Sequence, residues 1–159
     1  MFLSTVTNNM DAKGRVSVPS DFRTVIEGST FDGVIVWKSF DGPYLEGGGL
    51  SLLEDYMRAL EALDYYDEGR IALQRAIFAE SRRLPFDSGG RISLPKDMHE
   101  YAGLNGKITF VGLGRRFEIW SPQAHEARSK DMRRLARENR HRLKPAGPNL
   151  ASQSGGGQA

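Results

Sequence analysis

The stretch Asp11-Ala-Lys-Gly-Arg-Val-Ser-Val-Pro-Ser-Asp21 returns in the second half of the chain as Asp87-Ser-Gly-Gly-Arg-Ile-Ser-Leu-Pro-Lys-Asp97. The two copies lie 76 residues apart and share six of eleven residues, and two further positions pair Val with Ile or Leu. A weaker likeness relates Gly33-Val-Ile-Val-Trp37 in the first copy to Gly106-Lys-Ile-Thr-Phe110 in the second. Self-similarity at a fixed offset indicates a repeated structural unit. The chain is therefore predicted to contain two copies of one module.

Each copy carries the same order of local signals. A glycine turn, at Gly14 or Gly90, precedes an alternating run that predicts a strand, and a proline ends that strand. A short helix follows and closes at Gly28 or Gly103. With one strand before the turn and two after the helix, each module is predicted as β, β, short helix, β, β.

One module alone has about four short strands, which are too few to bury a core or to cover their own sheet edges. The two copies must therefore complete each other. The predicted fold is α+β and mainly β, with two tandem β modules forming a pseudo-twofold intertwined β core and with peripheral helices around it.

Three helical segments are predicted outside the modules. Ser51-Leu-Leu-Glu54 has the pattern of a capping box that opens an amphipathic helix, and a second helix is expected from Asp67 to about Glu80. Ser121-Pro122 begins the third, with Ser as the cap, and Pro145 ends it. The predicted domains are 5–50 (first module), 51–81 (helical linker pair), 82–125 (second module), 126–145 (basic helical tail) and 146–159 (disordered C-terminus).

Charge is distributed unevenly along the chain, whose formal net charge is +2. Between residues 121 and 145 eight Arg and Lys stand against three acids, so this segment carries +5 and the remainder carries −3. Such a cluster suits nucleic acid or acidic partners, although most charge-rich helices are simply solvated faces.

Composition excludes several classes of protein. The absence of cysteine excludes disulfides, zinc sites with thiolate ligands, iron–sulfur ligation and thiol catalysis, and it agrees with a reducing cytoplasm. The start of the chain lacks the pattern of a signal peptide, and no stretch has the apolar length of a membrane span. A soluble, cytoplasmic protein without a membrane partner is expected.

An enzymatic function finds little support. His99, His125 and His141 show no metal-ligand spacing, and the run from Gly112 to Phe117 falls short of the dinucleotide fingerprint. No Ser-His-Asp set or carboxylate pair is placed better than chance. We expect no catalytic residue, no metal, no cofactor and no small-molecule substrate.

Two aromatic features favour structural roles. Trp37 and Trp120 lie in apolar strand segments, where tryptophan is far more often part of the core than a platform for bases. The pair Tyr65-Tyr66 is predicted to mark a helix junction that packs on the β core.

The repeated Asp-x-x-x-Arg motif is the best candidate for function, because loops on rigid β scaffolds commonly carry it. For the aspartates a structural role is favoured, in which each holds its own turn or pairs with its arginine. For the arginines a binding role is favoured, because a guanidinium held by a turn is a bidentate donor suited to phosphate or to guanine edges. The predicted DNA-binding residues are Arg15, Lys13, Arg91, Arg23 and Lys96, supported in the motif by Asp11, Gly14, Asp87 and Gly90.

The cations expected around the two arginines differ. Lys13 and Arg23 are grouped with Arg15, whereas only Lys96 is added around Arg91. Since such cations supply most of the affinity for DNA, the first module is predicted to be the principal reader.

These stretches resemble the MraZ family. The likeness runs from Met1 to about Trp120 and is carried by Asn9-Met-Asp-Ala-Lys-Gly-Arg-Val-Ser-Val-Pro19, Asp87-Ser-Gly-Gly-Arg-Ile-Ser-Leu-Pro95 and Phe117-Glu-Ile-Trp120. The resemblance implies two SpoVT/AbrB-like modules and a homo-oligomeric, ring-forming transcriptional regulator at the nucleoid. It also implies binding to short direct repeats of double-stranded promoter DNA, upstream of the division and cell-wall gene cluster, through Arg15 and Arg91.

The chain departs from the family pattern at three positions. Ser4 stands where Gly is usual and Met10 where Leu is usual, and both are interpreted as packing variation. His99 stands where a second-module Arg is expected, which predicts a weaker second DNA face. The alternative function is a non-DNA oligomerising AbrB-like scaffold or an antitoxin-like binding module, because such modules serve several binding roles.

Overall fold

The computed structural model describes residues 1–144, so the predicted disordered C-terminus, 146–159, lies outside the described residues. The described chain contains eight strands and five α-helices: β1 (Thr5–Asn9), β2 (Arg15–Ser17), α1 (Ser20–Ile26), β3 (Gly33–Lys38), β4 (Leu45–Gly48), α2 (Leu50–Glu61), α3 (Glu68–Gln74), β5 (Arg82–Pro85), β6 (Arg91–Ser93), α4 (Lys96–Ala102), β7 (Lys107–Gly112), β8 (Phe117–Trp120) and α5 (Pro122–Glu138). A single π-helical turn, Arg75–Ala79, continues α3, and a 3₁₀ turn, Arg140–Arg142, follows α5.

The strands of the two copies are interleaved. Six of them form an antiparallel sheet in the order β1-β7-β8-β4-β3-β5, and β2 and β6 form a separate two-stranded ribbon. At the two edges, β1 of the first copy pairs with β7 of the second, and β5 of the second pairs with β3 of the first. If each strand is replaced by its counterpart in the other copy, the same strand order results, read from the opposite edge of the sheet. A pseudo-twofold axis therefore passes between β4 and β8 and between β2 and β6, and the predicted intertwined α+β fold is confirmed.

Facing acidic residues mark the axis in the sheet, where Glu46 of β4 lies opposite Glu118 of β8. Like charges opposite each other in a sheet repel. Arg116 relieves this repulsion, because its Nη1 donates to Glu46 Oε1 at 2.6 Å and to Glu118 Oε2 at 3.1 Å. Burial nevertheless raises the pKa of Glu46 above its ordinary value. A single arginine, Arg116 of the second copy, thus pairs with the glutamates of both copies. The pseudo-twofold symmetry does not hold for this side chain.

Alternating residues of β3 fill two apolar clusters on opposite faces of the sheet. Val34 and Val36 pack in the larger cluster, together with ribbon residues Val16 and Ile92 and with Phe22 of α1. The smaller cluster lies on the other face, where α2 covers the sheet, and its buried members are Ile35, Trp37, Leu52, Leu53 and Ile77. Full burial of one such side chain is worth about 1.5–3 kcal/mol. The ribbon and the sheet are therefore two layers of one core, to which both copies contribute.

The helix boundaries match the sequence only in part. The predicted capping box is wrong, because α2 begins at Leu50 after Gly49 and no side chain caps it. β4 runs almost directly into the helix, so Ser51 lies inside the first turn and not at the cap. Asp67 does cap α3, where its side chain accepts from the backbone N of Arg70 at 3.1 Å.

The last helix starts as expected but ends early. Ser121 Oγ accepts from the backbone N of Ala124 at 3.2 Å, and Pro122 is the first helical residue. The helix ends at Glu138 and not at Pro145. By their internal contacts the residues divide into two compact units, Met1–His125 and a second one from Glu126 onward. None of the helices in residues 1–144 combines the length and apolarity that a membrane crossing requires.

The aromatic predictions have opposite outcomes. Trp37 and Trp120 are buried, as predicted. Tyr65 and Tyr66 mark a helix junction as predicted, but their predicted packing on the β core is wrong, because they are 72% and 84% exposed. They lie between α2 and α3, where the guanidinium of Arg70 sits 5.4 Å from the ring centre of Tyr65. Contacts within this connection, and not with the β core, hold the pair.

Ser4 has an unusual backbone conformation. Its φ of +77° is the one positive value at a non-glycine residue in the part of the chain that the structure describes. The Ser4 carbonyl accepts from Gly112 N at 2.8 Å, and a Cβ on Gly112 would lie 2.6 Å from Leu3 N. This close crossing of two chain segments imposes the left-handed conformation, which glycine adopts without strain. The interpretation of Ser4 as packing variation is therefore wrong, because the departure carries a backbone cost.

Candidate nucleic-acid interface

The first Asp-x-x-x-Arg turn is held together by its aspartate. Asp11 Oδ1 accepts from the backbone N of Lys13 and of Arg15, each at 2.9 Å, and Asp11 Oδ2 accepts from Arg15 Nε at 2.7 Å. Gly14, with φ of +81°, closes the turn through a 3.0 Å hydrogen bond from its N to the Asp11 carbonyl. The aspartate thus has the turn-holding role that the sequence favoured.

The second turn repeats this geometry. Asp87 Oδ1 accepts from the backbone N of Gly89 and of Arg91 at 2.9 Å, and Asp87 Oδ2 accepts from Arg91 Nε at 2.8 Å. Hydrogen bonds from the backbone N of the arginine are the first cause that lowers the pKa of Asp11 and of Asp87 below the ordinary 3.8. Both carboxylates are therefore charged at neutral pH and orient their arginines.

Each aspartate engages only the Nε edge of its arginine. Among residues 1–144, the Nη groups of Arg15 and Arg91 form no hydrogen bond, and the side chains are 37% and 40% exposed. A guanidinium held at Nε keeps its two Nη groups available in a fixed orientation. This arrangement suits bidentate contact with a phosphate or with the edge of guanine.

The ribbon brings the two turns to one surface. Arg15 lies opposite Ser93, and Ser17 lies opposite Arg91. The intervening Val16 and Ile92 are buried, so the arginines lie on the outer face of the ribbon. With about 3.4 Å per residue and about 4.8 Å between strands, the Cα atoms of the two arginines are roughly 8 Å apart.

Sequence reasoning did not single out Ser17 and Ser93. They are exposed, and they follow the arginines by two residues, which places their hydroxyls on the same outer face. The signal was available, because Arg-x-Ser is identical in the two copies. Hydroxyl groups beside the arginines add hydrogen-bonding capacity to this face.

The structure places Arg23 at the other turn from the one predicted. Its Nε donates to the Val18 carbonyl at 3.3 Å, and its guanidinium fills the space that a Cβ on Gly90 would occupy. Arg23 therefore packs against the turn of the second module, because β2 runs antiparallel to β6 and its end at Val18 lies beside Gly90. The prediction that Arg23 lies beside Arg15 is therefore wrong, because Arg23 lies at the turn that precedes Arg91.

His99 shows the reciprocal exchange. A Cβ on Gly14 would lie 2.5 Å from His99 Cε1 and 2.6 Å from His99 Nε2. The histidine of the second module thus covers the turn of the first module. It was predicted to weaken the second DNA face, but it does not lie at the second turn. Lys13 is exposed on the first turn, and Lys96, at the start of the same helix as His99, lies 3.9 Å from Glu100. The observed contacts therefore leave Lys13 at the first turn and bring Arg23 to the second, which is not the grouping predicted from the sequence.

No group of three or more His, Cys, Asp or Glu in residues 1–144 is arranged to hold a metal ion. Arginine, lysine and serine on an outer β surface can bind by charge and by hydrogen bonding. The partner that this chemistry fits is an anion with regularly spaced acceptors.

Comparisons with known proteins show what the chain is similar to. The family model described as "MraZ protein, putative antitoxin-like" matches residues 1–39 and 77–143. The chain is 40% identical over 146 residues to the transcriptional regulator MraZ of Rickettsia akari, covering 92% of this chain and 98% of that protein. It is 39% identical over 138 residues to that of Caulobacter vibrioides, covering 87% and 88%. For Parvibaculum lavamentivorans the identity is 37% over 158 residues, covering 99% and 98%.

Proposed function

Since the chain belongs to the MraZ family, we propose that it is a sequence-specific, DNA-binding transcriptional regulator and not an enzyme. The observation that carries the proposal is the β2–β6 ribbon, which presents two matched arginines on one outer face. The major groove of DNA, about 12 Å wide, admits a two-stranded ribbon. In this proposal Arg15 and Arg91 contact base edges from the ribbon.

The residues around the arginines have a different task in this proposal. Lys13, Arg23 and Lys96 bind phosphates and hold the ribbon in register, while a good bidentate contact of an arginine with guanine discriminates by about 1–3 kcal/mol. Asp11 and Asp87 act through the arginines, because they fix the Nε edge of each guanidinium. Specificity then comes from the turns and affinity from the surrounding cations.

The proposal also includes a homo-oligomer, in which several chains bind DNA together. The modules 5–50 and 82–125 form one DNA-reading unit, and a homo-oligomer, in the form of a ring, places several such units on short direct repeats. Linked weak contacts multiply affinity without new chemistry. The proposed targets are the chain's own promoter and the downstream division and cell-wall gene cluster, which requires a cytoplasmic location at the nucleoid.

The basic segment 126–145 adds a sequence-independent attraction. Eight Arg and Lys against three acids between residues 121 and 145 provide the charge, and in α5 every residue from Lys130 to Glu138 is exposed. Attraction of this kind depends on salt, because each neutralised phosphate releases counterions.

Fluorescence anisotropy with DNA from upstream of the chain's own gene tests the proposal. We expect tight binding to tandem repeats, much weaker binding to a single repeat, and the weakest binding to a scrambled duplex of equal length. The preference should persist as salt is raised, while all affinities fall. Equal affinity for the native and the scrambled duplex at every salt concentration would contradict sequence-specific binding. Light scattering that returned a monomer at micromolar concentration would contradict the oligomer. Binding of a protein partner without any DNA binding would support the scaffold or antitoxin-like alternative.

A further inference from the structure

We propose that Arg23, a residue of the first module, binds a DNA phosphate beside the base that Arg91 of the second module contacts, so that each chain has a DNA site shared between its two copies. This inference rests on the proposed DNA-binding function. It pairs Arg23 with Arg91, which lies far from it along the chain.

Three observations place Arg23 at the second turn. Val18 N donates to the Gly90 carbonyl at 3.2 Å, which joins the end of β2 to that turn. Arg23 Nε donates to the Val18 carbonyl at 3.3 Å. The three atoms nearest to the position of a Cβ on Gly90 all belong to the guanidinium of Arg23. Glycine at position 90 is therefore required for Arg23 to lie where it does.

The same arrangement recurs at the first turn, with a different side chain. Leu94 N donates to the Gly14 carbonyl at 3.0 Å, and the ring of His99 lies over Gly14. Position 99 is position 23 shifted by the repeat offset of 76 residues, so the two side chains are pseudo-symmetry mates. Within the described residues His99 Nε2 is buried without a hydrogen-bond partner. The first turn thus has an imidazole where the second has a guanidinium.

Charge at the two turns explains what Arg23 adds. Asp87 pairs with Arg91, so Arg23 supplies the net positive charge beside the second turn. Asp11 pairs with Arg15 in the same way, and there Lys13 supplies the charge from an exposed side chain. Packing and a hydrogen bond restrict Arg23, so it loses less conformational freedom when it binds a phosphate. The second turn should therefore hold DNA at least as tightly as the first, whereas the sequence predicted the first module as the principal reader.

Arg23 has free donors for this contact. Among residues 1–144 neither of its Nη groups donates a hydrogen bond, and the side chain is half-buried. The glycine beneath it lets the guanidinium and the backbone of the turn approach one anion together. A phosphate on this side would be contacted by Arg23 while Arg91 reaches the adjacent base.

A double-mutant cycle tests the pairing, with Arg23→Gln as the key variant because glutamine keeps part of the side chain and removes the charge. On tandem-repeat DNA we expect Arg23→Gln to lower affinity several-fold and to reduce the log–log salt slope by about 0.9 for one lost phosphate contact. In the Arg91→Ala background its effect should shrink, whereas in the Arg15→Ala background it should be undiminished, because residues that share one binding site are coupled and separate sites contribute independently. Coupling to Arg15 in place of Arg91, or an unchanged salt slope, would overturn the proposal.

A gain-of-charge variant provides a second readout. His99 borders a cavity of about 400 Å³, also lined by Met10, Asp11 and Asn105, which gives room for a longer side chain. His99→Arg should place a guanidinium on the first turn, tighten binding and steepen the salt slope by about 0.9. The neutral control His99→Gln should leave the slope unchanged. A slope for His99→Arg equal to that of the control would count against the role of this position.

The outcomes separate the two proposals. If the wild-type chain shows no preference for its own upstream DNA, the proposed function fails. If the wild type binds specifically but Arg23 is not coupled to Arg91, only the present inference fails. Circular dichroism and light scattering on every variant verify that fold and assembly are retained.

Discussion

Substitution of Gly14 by alanine tests whether the second module covers the turn of the first. Gly14 and Gly28 have nearly the same positive φ, +81° and +84°, but their surroundings differ. Apart from Gly28 itself and its chain neighbours, no atom of residues 1–144 lies within 4 Å of a Cβ on Gly28, whereas one on Gly14 would lie 2.6 Å from His99 Nε2 and 2.9 Å from the Leu94 carbonyl oxygen. Gly28→Ala is therefore the matched control, because it introduces the backbone strain without the collision.

The expected loss of stability follows from these two contributions. An L-residue in the left-handed region costs about 1–2 kcal/mol, which is the whole cost for Gly28→Ala. Overpacking against a ring and a backbone carbonyl adds about 1–3 kcal/mol for Gly14→Ala. We therefore expect losses in the free energy of unfolding of about 1–2 kcal/mol for Gly28→Ala and about 2–5 kcal/mol for Gly14→Ala.

Guanidinium denaturation at a fixed protein concentration measures both variants. Adding His99→Ala to Gly14→Ala should restore part of the loss, because two of the three closest atoms belong to the imidazole. Equal losses for Gly14→Ala and Gly28→Ala, or no recovery in the double variant, would refute the cross-module contact between His99 and the first turn.

Three further predictions concern single features. Ser4→Gly should raise the free energy of unfolding by up to about 1 kcal/mol, because glycine relieves the left-handed strain at some entropic cost; a denaturation midpoint at or below that of wild type would contradict this. Hydrogen bonds lower the folded-state pKa of Asp87, so its contribution to stability is present above pH 3.8 and is lost as the pH falls below that value. The stability difference between wild type and Asp87→Asn should accordingly shrink on acidification from pH 6 to pH 3, and a constant difference would argue against it. Deleting residues 128–159 should weaken binding to all DNA sequences alike and flatten the salt slope, whereas unchanged binding would make this segment a packing or solubility element.

The elements within each module could be predicted from the sequence because their signals are local. Gly14 and Gly90 have the positive φ that the turns require, and the alternation of Arg15-Val-Ser-Val18 follows the period of a strand. The duplication added the long-range information, because a module too small to bury a core must pair with its copy. Together these predicted the intertwined β core.

What the sequence could not predict depends on tertiary geometry. Arg23 and His99 stand near the first and second motifs along the chain, yet each packs on the turn of the other copy, because each strand of the antiparallel ribbon ends beside the turn that precedes the other strand. The left-handed conformation of Ser4 results from its crossing with Gly112, and the start of α2 at Leu50 results from its short connection to β4. No local pattern reports which remote segment a residue contacts.

DNA binding by Arg15→Ala, Arg91→Ala and the double variant tests the central claim most directly, since the account places both arginines on one DNA-reading face. On a single tandem-repeat promoter fragment each single substitution should cost about 1–3 kcal/mol per engaged site, and the double variant should retain only the affinity for a scrambled duplex. All three should keep the circular dichroism spectrum and oligomeric state of wild type, because the two side chains are partly exposed. A double variant that is correctly folded and still prefers the promoter over the scrambled duplex would contradict the account.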